Sequence, residues 1–101
     1  MNKLKQALSS INFDETGKVG GEYGLHDGFF NAIVVADGAD YYVQGCAEGD
    51  VFNAWDCGHN DGMCGDVNEP LARKLAEDFD GDIGEGYSAV QTVLITAYEQ
   101  L

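Results

Sequence analysis

The chain has 101 residues and a formal charge of −13, from 18 acidic against five basic side chains. That balance excludes duplex nucleic acid and anionic membrane surfaces as direct partners, since both are polyanions. A hydrophobic fraction of 45% with 11% aromatics excludes a disordered chain and fits one domain spanning residues 1–101.

Residues 2–11 are expected to form a short helix, with Leu4, Ala7, Leu8 and Ile11 as a narrow apolar stripe that lies as a lid on a sheet. Residues 14–28 are turn-rich, with five glycines, and hold at most a ragged strand around Val19 and Tyr23. The strongest β signal follows. Residues 29–36 are aromatic and β-branched, Asp37-Gly38 is a hairpin cue that tolerates positive φ, and 41–47 returns. A second turn at Glu48-Gly49-Asp50 leads into 51–57, so a three-stranded antiparallel meander is expected over about 29–57.

Residues 58–68 read as loop. Asn68 is placed to cap a helix that has Glu69 and Pro70 in its first turn and runs to about Phe79, with Leu71, Ala72, Leu75 and Phe79 inward. Residues 80–86 break it. Ser88 and Gln91 have capping-box spacing, and Val90, Val93, Leu94, Ala97, Tyr98 and Leu101 share one helical face beyond them. The β-branched content there favours a strand, but the three- and four-residue spacing outweighs it. The expected fold is α+β, a meander flanked by an N-terminal helix and two C-terminal helices.

Residues 19–72 hold ten acids and no Lys or Arg. At one charge per ~1.7 Å of duplex, thirteen charges match roughly 22 Å of DNA, and a folded chain of this length has a radius of gyration of roughly 13 Å. The charge densities are of one order. Asp37 and Asp40 at the hairpin tip, Glu48 and Asp50 at the next turn, and Asp56, Asp61 and Asp66 along the following segment are candidate partner-binding carboxylates. Asp78, Asp80 and Asp82 join them, because alternate residues of an extended chain share one face at about 6.6–6.8 Å intervals. Taken singly, each is an ordinary solvated turn aspartate. Tyr42 and Trp55 are the candidate aromatic anchors among the acids, their alternative being the buried face of the meander.

Three cysteines cannot all pair within one chain. Cys46, Cys57, His59 and Cys64 are the residue types of a Cys₃His zinc site, with His59 and Cys64 expected on one loop, but they lack the C-x₂-C knuckle. Their plain alternative is a small core residue and two loop thiols. Asp78, Asp80 and Asp82 also match positions one, three and five of a calcium loop, although Ile83 replaces the turn glycine and Ala89 the bidentate acid. A Cys/His nucleophile pair is disfavoured, since acidic surroundings raise a thiol pKa. There is no phosphate loop, nucleophile turn or dinucleotide fingerprint. The expectation is therefore no enzyme and no cofactor, with zinc a candidate at the cysteines and calcium only the weaker reading of Asp78–Asp82.

In size, acidity and lack of catalytic signature the chain resembles the small acidic inhibitors of phages and mobile elements: DNA mimics, antirestriction proteins and anti-CRISPR proteins. The resemblance is compositional and spans the chain. It implies a non-catalytic protein that blocks a basic, nucleic-acid-binding surface of a host protein. The alternatives are a small zinc- or calcium-binding domain and an acidic accessory protein of a halophile. No signal peptide or membrane span is expected, which points to the cytoplasm, that of the host cell if the chain is phage-encoded. The oligomeric state is left open.

Overall fold

A computed structural model of the chain describes residues 2–13, 30–45, 47–48, 51–52 and 63–100. The elements run α1 (Asn2–Ser9), β1 (Asn12–Phe13), β2 (Phe30–Ala36), β3 (Ala39–Gly45), β4 (Ala47–Glu48), β5 (Val51–Phe52), α2 (Met63–Ala76), a 3-10 turn (Glu77–Phe79) and α3 (Ile83–Glu99). Three helices and a three-stranded antiparallel sheet make the fold α+β. The segment 14–28, with its expected ragged strand, lies outside the described residues.

The β2–β3 hairpin forms where the residues dictate. Asp37 (φ 55°) and Gly38 (φ 80°) both occupy the left-handed region, which a two-residue type I′ turn requires. Ala36 then pairs with Ala39, and the register runs unbroken to Phe30 opposite Gly45. The third strand of this sheet is not the expected one. The sheet order is β1-β2-β3, with Asn12 opposite Ile33, while β5 pairs with β4 in a separate two-stranded sheet. Two residues of β1 are too few to leave an alternating pattern in sequence.

Alternation along the hairpin sends Ala32, Val34, Ala36 and Val43 to one face, all fully buried. They join Leu71, Ala72 and Leu75 of α2, Ala7 of α1, and Ala89, Val90, Val93, Leu94 and Ala97 of α3 in one core, against which Leu4, Leu8, Ile11 and Phe13 pack. The stripe expected of α1 thus covers the sheet. Gly86 of α3 lies so close to α2 that an added Cβ would sit 2.1 Å from the Ala72 carbonyl oxygen.

Helix α2 begins at Met63, five residues before the expected cap. Asn68 is no cap. It is fully buried within the helix, and its amide accepts from the Gln44 N–H at 2.8 Å and donates to the Gln44 carbonyl at 3.0 Å. The side chain takes the place of a neighbouring strand along the edge of β3. The opposite edge is treated alike: Val35 N–H donates to Ser10 Oγ at 2.7 Å and Asp37 N–H to Gln6 Oε1 at 2.6 Å.

The break between α2 and α3 is shorter than expected. Asp80 adopts the left-handed conformation (φ 57°, ψ 30°), and Gly81 N–H donates back to the Ala76 carbonyl at 2.8 Å, a Schellman-type stop. Asp82 caps α3 by accepting from the N–H groups of Gly84 (3.0 Å) and Glu85 (3.3 Å). Ser88 is therefore inside the helix and not its cap. No helix among the described residues is long and apolar enough to cross a membrane.

Candidate functional site

Residues paired across the hairpin share a face, so the strand register also composes the surface that turns away from the helices. Tyr42 lies opposite Ile33, which lies opposite Asn12 on the other side, forming a row across the sheet. Tyr42 is 43% exposed and Ile33 37%. Asp40 stands opposite Val35, exposed, and on the same face as Tyr42. Two residues along a strand are separated by about 6.6–6.8 Å. An exposed aromatic, an aliphatic neighbour and a carboxylate beside them make up the composition of a docking anchor with a polar rim.

The hairpin tip adjoins a charged end of the molecule. Lys74 of α2 lies 3.6 Å from Asp37 and 3.4 Å from Glu77. Lys3 of α1 lies 3.1 Å from Asp78 and 3.9 Å from Glu77. Asp37, Glu77 and Asp78 thus meet Lys3 and Lys74 here, and the Asp78 carboxyl is held below the ordinary carboxylate value, first by a hydrogen bond from the N-terminal ammonium and then by that from Lys3. The Lys3 ammonium titrates above the ordinary value, chiefly through its hydrogen bond to Asp78; partial burial opposes this, and the charges of Asp78, Asp37 and Glu77 reinforce it. Lys74 is likewise raised, first by the charge of Glu77. Arg73 is held along its own helix, its Nε donating to Glu69 at 2.8 Å.

This corrects one expectation. The acid run at 19–72 is free of lysine in sequence, but Lys74 and Lys3, from outside the run, reach its hairpin tip and the acids next to it. Asp37 and Asp78 are thus ion-paired. Asp78, Asp80 and Asp82 do not form an extended ladder either, because they span a 3-10 turn, a left-handed residue and a helix cap. The calcium-loop reading fails on the same geometry. Residues 83–89 are helical, so the required twelve-residue loop is not formed.

Of the other candidates, Glu48 lies in β4, while Cys64 and Asp66 lie in α2 and not on a loop. Asp50, Trp55, Asp56, Asp61, Cys46, Cys57 and His59 lie outside the described residues. Ile33 beside Tyr42, Asn68 on the β3 edge, and Lys3 and Lys74 within the acid cluster were not expected from sequence. No family model, curated protein or solved structure matches the chain.

Proposed function

We propose that this chain is a non-catalytic binding protein that occupies a basic, nucleic-acid-binding surface of a host protein, in the manner of antirestriction and anti-CRISPR inhibitors, and acts in the host-cell cytoplasm. One observation supports this reading above the rest: Tyr42 and Ile33 stand exposed beside Asp40 on the outer sheet face of a chain whose net charge is −13. Excess negative charge steers the encounter with an Arg/Lys-rich cleft, and the aromatic fixes register once there. The net charge of −13 leaves the chain itself with no affinity for DNA or RNA.

The test is capture from host lysate on the immobilised chain at about 50 mM and about 500 mM salt, followed by challenge with duplex DNA. Nucleic-acid-binding proteins should dominate the low-salt fraction and be displaced by both salt and duplex. Retention that is indifferent to both would overturn the proposal.

A further inference from the structure

We infer that the outer sheet face seats an arginine side chain of the partner in preference to a lysine. The inference rests on the binding role proposed above and names the residue type that this face reads. Two adjacent cross-strand pairs build the seat, Ile33 opposite Tyr42 and Val35 opposite Asp40. The Val35 N–H turns outward to Ser10 Oγ instead of crossing to β3. Residues 35 and 40, and with them 33 and 42, are therefore pairs of the non-hydrogen-bonded kind, whose side chains stand closest. Their Cβ atoms are about 4.5–5.5 Å apart across the strands and about 6.6–6.8 Å apart along them.

Each corner offers a different surface. Ile33 is exposed and Val35 half-buried, so β2 contributes an aliphatic shelf. Tyr42 adds the exposed part of its ring. Asp40 adds the one formal charge. Asp37 pairs with Lys74, Asp78 with Lys3 and Glu69 with Arg73, whereas among the described residues no cation pairs with Asp40.

This chemistry selects the occupant. A carboxylate without a cation of its own, on a chain of net charge −13, calls for a positive group. The surfaces beside it are apolar, and a compact, strongly hydrated ammonium gains nothing from them. A guanidinium is more weakly hydrated and planar, stacks on an aromatic ring, and pairs a carboxylate through two parallel N–H groups. One arginine can lay its aliphatic stem along Ile33 and Val35. The edge of its guanidinium then meets Asp40 and the plane meets Tyr42. A lysine meets Asp40 alone.

Nona-arginine and nona-lysine, equal in charge, are the probes. Each is titrated into the isotope-labelled chain at about 50 mM salt, with affinity read by calorimetry and position by amide chemical shifts. Nona-arginine should bind more tightly and shift the amides of Ile33, Val35, Asp40 and Tyr42. Tyr42→Leu keeps the charge and should weaken nona-arginine about two- to fivefold while leaving nona-lysine nearly unchanged. Asp40→Asn, isosteric and exposed, should also weaken nona-arginine more than nona-lysine, and it serves if Tyr42→Leu does not fold. Glu99→Gln, which removes a charge on α3, should affect the two peptides alike. No preference for nona-arginine in the parent chain, equal losses of both peptides in the two face variants, or shifts confined to other elements would overturn the inference. Those results leave salt-sensitive capture of a basic protein standing. An arginine preference at this face without nucleic-acid-binding proteins in the lysate fraction would overturn the proposed function and leave the seat.

Discussion

The side-chain amide of Asn68 bonds both the N–H and the carbonyl of Gln44, at 2.8 and 3.0 Å, and so stands in for a strand on the edge of β3. Both partners are buried. Removing the amide leaves a buried donor and a buried acceptor unmatched, each costing about 1–3 kcal/mol. Asn68→Ala should therefore lower unfolding free energy by about 2–4 kcal/mol in a urea titration. A loss under about 1 kcal/mol would show that the edge bonds are dispensable.

The crossing of α2 and α3 rests on the missing side chain of Gly86. Alanine at this helical position gains up to about 1 kcal/mol in propensity. The added Cβ, 2.1 Å from the Ala72 carbonyl oxygen, forces the helices apart. Overpacking costs about 1–3 kcal/mol and should win. Gly86→Ala is expected to melt earlier than the parent chain. A higher melting temperature would show that the α2–α3 crossing accommodates a methyl group.

Asp80 and Asp82 flank Gly81 in one turn and have different tasks. Asp82 caps α3, so Asp82→Ala should cost about 1 kcal/mol and Asp82→Asn much less. Asp80 holds a left-handed φ of 57°, which glycine adopts without strain, so Asp80→Gly should be neutral or mildly stabilising. Denaturant midpoints for the three variants check the ranking.

The Lys3 and Lys74 ammonium groups titrate above the ordinary 10.5 in the folded chain, Lys3 chiefly through its hydrogen bond to Asp78 and Lys74 chiefly through the charge of Glu77. Folding thus favours their protonated forms. The stability this supplies is complete below the unfolded value of 10.5 and fades as pH climbs through the raised folded values. Urea midpoints at about pH 8 and about pH 11 should fall more for the parent chain than for Lys3→Met, since tyrosine titration is common to both. Equal falls would mean the Lys3–Asp78 pair is not linked to folding.

Local signals made the hairpin and α3 legible. Asp37-Gly38 between apolar runs fixed the turn, and the spacing of Val90, Val93, Leu94 and Ala97 outweighed the β-branched residues around it. The same turn fixes the register, so Ile33 opposite Tyr42 was readable by counting outward from it. Asn68 misled because Asn before Glu-Pro is a good local cap. Its actual partner, Gln44, lies 24 residues away. Glu69 and Pro70 also suited a first turn, yet the helix already runs from Met63 through Pro70. The acid cluster was misjudged for a related reason. Lys3 and Asp78 are 75 positions apart, and only the packing of α1 beside the end of α2 brings them together.

Affinity for the captured nucleic-acid-binding protein, titrated with salt for the parent chain, Asp40→Lys and Tyr42→Ala, tests the binding account most directly. The parent should weaken at least about tenfold between about 50 mM and about 200 mM salt. Asp40→Lys should bind more weakly at low salt with a shallower salt slope, and Tyr42→Ala should lose affinity with the slope unchanged. Identical curves for all three proteins would mean that the partner does not meet the Asp40–Tyr42 face, and would contradict the account.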